Sequence, residues 1–249
     1  MSINRSLWHR LAQRDSLPSL PCPRCEAGKL KASKQKIKIK EPRYSVDEKD
    51  DHQYEWEPDW SVGRWAASLE CDEAKCGEIV NLIGDSEWVE VDVSPGQWGL
   101  EEALRIQAVF PAPPLIRASK NVPKTVSSQL QLASQMFWTD VSTCVARLRT
   151  SVECLLDHQG VPKERLVKKG KGNKIHRMNL AERIDAFANG SSHKDQLHSL
   201  RHIGNLGTHA TTTVDDEDLF DAIDVLEFVL TGIYDTQTIN AKATKLKKK

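Results

Sequence analysis

Cys22-Pro23-Arg24-Cys25 and, 45 residues further on, Cys71-Asp72-Glu73-Ala74-Lys75-Cys76 divide this chain. A C-x2-C turn lets two thiolates converge on one tetrahedral metal ion. Pro23 fixes the first turn, and Gly28 and Gly77 follow the two pairs where tight backbone positions fall. The second pair has four residues between its cysteines, wider than the first pair but within the range such knuckles use. Cys22, Cys25, Cys71 and Cys76 are therefore expected to hold one structural Zn2+ per chain. With all four positions filled by protein, no site remains for a catalytic water, so this zinc holds the fold and carries no chemistry. Cys144 and Cys154 lie apart, near the apolar register of a helix-like stretch, and read as small core residues.

The 249 residues carry 35 Lys plus Arg against 35 Asp plus Glu, a formal net charge of zero, with 39% hydrophobic and 28% charged residues. That balance excludes wholesale disorder and a membrane protein, and gives no global attraction to polyanions. No apolar run approaches about 18 residues, and the opening MSINRSLWHRLAQRDSL lacks the apolar core and cleavage site of a secretory signal. A soluble, cytoplasmic protein without membrane contact is expected, and disulfides are not expected there. The neutrality is a sum of blocks: lysines at 29–40 against acids at 47–59, and a basic 163–177 stretch and lysine tail against the acids at 215–218.

The sequence predicts an α+β, multidomain chain with a small β zinc ribbon first and a helical bundle after it. The expected divisions are a leader helix or extension at 1–20, the ribbon at 21–95, a proline-containing linker at 96–122, the bundle at 123–237 and a basic tail at 238–249. Lys36-Ile37-Lys38-Ile39-Lys40 alternates with period two and reads as a half-buried strand. The acidic 47–59 stretch has little to bury beyond Tyr54 and Trp56 and reads as a loop or solvated hairpin tip. Three strands follow at 65–70, 79–83 and 88–93. The tryptophans between Trp56 and Trp98 beside lysines allow a base-stacking surface, but a small core filled with Trp accounts for them more simply, since the acidic stretch repels phosphate. His52 reads as a surface residue.

Beyond Val109-Phe110-Pro111-Ala112-Pro113-Pro114 the composition shifts to Leu, Ala, Gln and Ser. Val126, Leu130, Ala133 and Phe137, then Val141, Val145, Leu148, Val152, Leu155 and Leu156, recur at helical spacing, with Thr139 or Asp140 as the cap between them. Pro162 to Arg177 is a glycine-interrupted basic loop whose Lys168, Lys169, Lys171, Lys174 and Arg177 form a candidate nucleic-acid-binding set. Short helices at 180–187 and around Leu197–Leu206 precede a long one that opens on acids at 215–218, and the lysine tail reads as frayed. Four or five helices with short connections make an antiparallel bundle.

Arg201-His202-Ile203-Gly204-Asn205-Leu206-Gly207-Thr208-His209 is the least ordinary segment of that bundle. Two glycines in an apolar-periodic helix cost about 1 kcal/mol each relative to alanine, so a close approach should offset them. At about 100° per residue, Arg201, Asn205 and His209 fall within about 80° of one another, a polar stripe.

This stretch, through Leu200, Arg201, Ile203, Gly204, Asn205 and His209, resembles the signature of the domain of unknown function 4145 (DUF4145) family. Phe110-Pro111, Arg149 with Glu153, and Ile233-Tyr234 extend the resemblance over 109–235. A preceding zinc ribbon with a CPxC knuckle also occurs in such proteins. The resemblance implies a helical bundle near the HEPN (higher eukaryotes and prokaryotes nucleotide-binding) superfamily, many of whose members are dimeric, metal-independent RNases in defence systems. It also implies candidate roles: His209 as general acid or base, Arg201 on the phosphorane charge, Asn205 orienting the phosphate and Glu153 assisting. The sequence departs from the superfamily's motif, because Gly204 stands before Asn205 where that motif has its arginine. A structural reading pairs Arg149 with Glu153 at i,i+4 and uses Asn205 and His209 to satisfy chain ends.

The expected function is thus a non-catalytic or regulatory zinc-ribbon and HEPN-like protein of a prokaryotic anti-phage or restriction-type system. It would bind nucleic acid, RNA more than DNA, or a defence-system partner protein, and form a homodimer. The alternatives are a metal-independent, dimeric endoribonuclease and a dimeric interaction scaffold.

Overall fold

The computed structural model describes every residue except 1–2, 15, 26, 33–36, 53, 170–171, 188–192, 208–213 and 248–249, and gives the backbone alone at 169 and 237–242. The chain separates after Pro113 into two compact units, with Ile3 grouped with the second. It is mixed α and β, sheet first and helices second, as expected.

The first unit is an antiparallel sheet of β1 (Leu11–Gln13), β2 (Leu30–Ala32), β3 (Lys38–Lys40), β4 (Gly63–Cys71), β5 (Ile79–Ser94) and β6 (Gln97–Phe110), in the order β1-β6-β5-β4-β2 with β3 also on β4. Alternation sends Trp65 and Leu69 of β4, Val80 and Leu82 of β5, and Leu104, Ile106 and Val109 of β6 to one buried face, joined by Trp8, Leu20 and Leu30. Trp65 adds a polar anchor, its Nε1 donating to the Asp85 carbonyl at 3.0 Å. β4 pairs with β5 only as far as Ser86, and β1 with β6 only from Ala103 to Arg105. The far ends of β5 and β6 therefore run on as a two-stranded arm.

Several sequence expectations differ here. Residues 97–110, expected in a linker, form β6, because Ala103, Leu104, Ile106 and Val109 complete the core. The leader contributes β1 and buried Trp8, Ala12 and Leu20 to the sheet. The acidic stretch begins with a helix, α1 (Arg43–Asp51). It has no apolar stripe, but its buried Ser45 donates to Glu41 at 2.7 Å and accepts from Val62 N–H at 3.0 Å, and Arg43 pairs with Asp47 at 3.5 Å.

The second unit is built on α3 (Val141–His158), which packs against α2 (Lys124–Met136), α4 (Leu180–Phe187), α5 (Lys194–Leu206) and α6 (Asp216–Leu230). Val145, Leu148, Val152, Leu155 and Leu156 of α3 are buried with Val126, Leu130, Leu197, Leu200, Ile223 and Leu226 of its neighbours. Asp140 caps α3, accepting from Ser142 N–H at 3.0 Å and Thr143 N–H at 3.1 Å, and Asp215 caps α6 through Asp218 N–H at 2.8 Å. α6 runs through a π-helical turn, Thr231–Asp235, into α7 (Thr236–Lys247), so the described part of the tail is helical. In that turn Thr236 N–H bonds back to the Thr231 carbonyl, and Asp235 accepts from Ser119 at 2.6 Å and Asn121 at 3.1 Å.

The basic stretch expected as a loop is a β-hairpin, β7 (Glu164–Lys169) and β8 (Gly172–Arg177). The next helix along the chain orders it. Glu182 of α4 bonds Arg165 at 2.8 Å and His176 Nε2 at 2.9 Å, while also closing a capping box with Asn179 through two 3.0 Å bonds.

Candidate functional site

The four cysteines come from two turns that the sheet brings together. Cys71 ends β4 and Cys76 precedes β5, so this knuckle is the β4–β5 connection, with Cys76 N–H on the Glu73 carbonyl at 2.8 Å and Gly77 at φ +57. Cys22 and Cys25 lie just before β2, which pairs Leu30 with Cys71. Asp72 joins the turns by accepting from Lys29 N–H at 2.8 Å and pairing with Lys31 at 3.1 Å. The Lys29 N–H, with Lys31 behind it, holds the Asp72 carboxyl below its ordinary range. A Cβ on Gly28 would overlap Cys71 Sγ, so only glycine lets the two turns meet this closely.

All four sulfurs lie within 4.8 Å of one another, with Cys22 and Cys76 at 3.7 Å and Cys25 and Cys71 at 3.6 Å. Four thiolates on one tetrahedral ion with metal–sulfur bonds of about 2.3 Å sit about 3.8 Å apart, which the Cys22–Cys76 and Cys25–Cys71 separations match. Arg24 N–H points at Cys22 Sγ at 3.4 Å and Gly28 N–H at Cys25 Sγ at 3.3 Å, the donors a thiolate cluster needs. The Gly28 N–H draws the Cys25 thiol down to about 7, whereas burial pushes Cys71 up to about 12. The cluster can hold a metal ion. Cys144 is buried and Cys154 half-buried, both on α3, and burial raises the Cys154 thiol.

The candidate catalytic residues fall on two packed helices. Glu153 of α3 is held by Arg149 one turn earlier, at 3.0 Å. Arg201 and Asn205 sit one turn apart on α5, both half-buried, and His209 lies outside the described residues. The glycines between them serve a close approach: a Cβ on Gly204 would strike the Arg149 stem, and one on Gly207 would lie 2.7 Å from the Ser142 carbonyl. Arg149 Nε and Arg201 Nε are both buried without a hydrogen-bond partner. Of the basic set, Lys168, Lys174 and Arg177 are exposed on the β7–β8 hairpin, only the backbone of Lys169 is described, and Lys171 lies outside the described residues.

Two buried or bridging groups were not singled out from sequence. Arg183 is 6% exposed, bonding Asp157 at 2.6 Å and the Val161 carbonyl at 3.2 Å, with Lys163 also on Asp157 at 2.9 Å. Glu182 was legible, since Asn179-Leu180-Ala181-Glu182 has the capping-box spacing.

The helical half has a counterpart among known families. Residues 131–249 match the family model described as Domain of unknown function (DUF4145). The DUF4145 match spans the described parts of α3 to α7, Arg149, Glu153, Arg201 and Asn205 included. A second model, Domain of unknown function (DUF8608), matches residues 10–99, the segment that holds all four clustered cysteines. No curated protein and no solved structure gives a match. Among the described residues, no helix is long and apolar enough to cross a membrane.

Proposed function

We propose that this chain is a non-catalytic, zinc-stabilised protein that binds nucleic acid, RNA more than DNA, through the β7–β8 hairpin. The observation that carries it is the state of the hairpin's cations: Lys168, Lys174 and Arg177 are exposed and have no ion pair among the described residues, on a strand pair fixed by Glu182. Free cations on a fixed scaffold contact phosphates without reading bases. Titrating the full chain into a labelled single-stranded RNA over a salt series tests this. Replacing Lys168, Lys174 and Arg177 by alanine should weaken binding and flatten the salt slope by about 2. No binding at low salt, or a triple variant with parental affinity and slope, overturns it.

The ion at the cysteines is zinc, supported by the four-sulfur donor set, which fills every position of a tetrahedral site. Metal analysis finding well under one zinc per chain in freshly purified protein would remove that assignment. We place the protein in prokaryotic anti-phage or restriction-type defence and its helical half with HEPN-like bundles on the resemblance. Deletion that leaves plating unchanged across a phage panel would remove the defence role.

One observation favours a second reading, a metal-independent endoribonuclease. Arg149 and Arg201 present buried, unpartnered Nε groups on adjacent helices, as a site for an anionic phosphate would. Against it, the carboxylate of Glu153 is already engaged by Arg149. RNA cleavage by the parent that disappears in both Arg201→Ala and His209→Ala would select the enzyme; cleavage that is absent, or equal in all three, selects the binding protein.

A further inference from the structure

From the Trp88 and Glu102 pair outward, β5 and β6 pair only with each other, as far as the turn joining Ser94 to Gln97. Residues opposed across antiparallel strands share a face. One face of this arm therefore has three rungs: Trp88 with Glu102, Glu90 with Leu100, and Asp92 with Trp98. Each rung sets a carboxylate across from an apolar side chain. Trp98 is 72% and Leu100 50% exposed, so the two outer apolar side chains have no cover, while Trp88 is half-buried. From Glu87 to Glu102 there is no basic residue. Arg105 holds Glu87 and Arg14 holds Glu102, but Glu90, Asp92 and Glu101 have no ion pair among the described residues.

The β7–β8 hairpin carries the complement. Leu166 and Ile175 are opposed, 70% and 62% exposed, and the rungs on either side place Lys168 and Arg177 on the same face. Glu164, across from Arg177, is the carboxylate on that face. Both surfaces are two-stranded, and each presents an exposed apolar pair, Trp98 with Leu100 along β6 and Leu166 with Ile175 across β7 and β8, beside charges of one prevailing sign.

We infer that the acidic face of the β5–β6 arm docks on the basic face of the β7–β8 hairpin of a second copy of this chain. Trp98 and Leu100 pack on Leu166 and Ile175, and the arm's unpaired carboxylates face the hairpin's unpaired cations. The occupant is a second copy because the complement in charge, with exposed apolar residues on both faces, is written in the same sequence. Every copy offers both faces, so two copies satisfy both contacts where the arrangement closes. Docking also covers the cations proposed to contact nucleic acid, so the two compete. The association itself does not rest on that reading and is measured without nucleic acid.

Sedimentation velocity of the full chain over a concentration series, at about 50 and about 500 mM salt, tests it, since screening acts strongly between those limits. The parent should associate with concentration at low salt and at least about tenfold more weakly at high salt. Glu90→Lys with Asp92→Lys should be monomeric alone, as should Lys168→Glu with Arg177→Glu. An equimolar mixture of the two should associate again, because the reversed charges then face each other. Trp98→Ala, on an exposed side chain, should weaken association by about tenfold while keeping the parental far-UV spectrum. A parent that stays monomeric at low salt, a reversed variant that associates like the parent, or a mixture that does not recover overturns the inference. If a reversed pair fails to fold, the parent's salt dependence and Trp98→Ala decide.

Discussion

Replacing Gly204 by alanine sets two physical effects of opposite sign against each other. In an open helix the substitution stabilises by about 1 kcal/mol, because alanine loses less backbone entropy. Here the new methyl would overlap Arg149 Cβ and lie 2.8 Å from its Cδ and 2.9 Å from its Cγ. The Cβ and Cγ of Arg149 are the stem of the side chain that holds Glu153, so α5 must move off α3 or the ion pair must be given up. Overpacking of this kind costs about 1–3 kcal/mol. With the overlap falling on a stem, the cost lies in the upper part of that range, about 2–3 kcal/mol, leaving a net loss of about 1–2 kcal/mol. At about 4 °C per kcal/mol for a unit of this size, thermal unfolding followed at the helical far-UV band should fall by about 4–8 °C. The same change made in Arg149→Ala, where Cγ and Cδ are gone but Cβ remains, should cost less, and the difference between the two costs measures the Cγ and Cδ part of the contact. An alanine variant as stable as the parent, or more so, refutes the close packing of α3 on α5 and leaves helix propensity in charge.

Three other outcomes are expected. Cys22→Ser with Cys71→Ser, or a strong chelator, should remove the bound metal and unfold the sheet unit, seen as red-shifted tryptophan emission, and metal affinity should fall as pH drops because the ligands are thiolates; unchanged emission and metal content would show that the cluster is not the metal site. Asp140→Ala removes the acceptor of two helix N–H groups and should cost about 1 kcal/mol in urea unfolding, with a parental midpoint counting against the cap. Burial pushes the Asp157 carboxyl up, but hydrogen bonds from Lys163 and Arg183 more than offset this and hold it below its ordinary value. Its contribution is therefore complete above the unfolded-state pKa of about 3.9 and is lost as pH falls through the lower folded value, so Asp157→Asn should flatten the loss of stability below about pH 4. An acid limb identical to the parent's would contradict this.

The sequence was legible where one physical signal dominated. Paired cysteines at fixed spacing announced the cluster, and helical periodicity located α3 and α6, with the cap of α3 narrowed to Thr139 or Asp140 and the acidic start of α6 to 215–218. β6 was hidden because half of it leaves the sheet: in the arm neither face is buried, so the in-out alternation that marks Leu104, Ile106 and Val109 breaks down at Trp98, Leu100, Glu101 and Glu102. α1 was hidden because its charges are solvated all round and its one fixed point is a serine. The basic hairpin read as a loop since the residue that orders it, Glu182, lies on the following helix. At the polar stripe, helix geometry alone placed Arg201 and Asn205 on a shared face, but only the structure shows that Gly204 faces the stem of Arg149.

The π-helical turn at Thr231–Asp235 has a consequence for how this protein can vary in length. A widened turn adds one residue to a rod that otherwise keeps its direction, so it rotates everything beyond it by about 100° about the same axis. The phase of α7 is thus set by the number of residues in that turn, while Asp235, fastened to Ser119 and Asn121, fixes where the count begins. Deleting a single residue there would relax the turn to ordinary helix and swing all of α7 to a new azimuth without shortening it noticeably. The surface loops can gain or lose residues and leave the helices in place, but these five behave like the teeth of a gear.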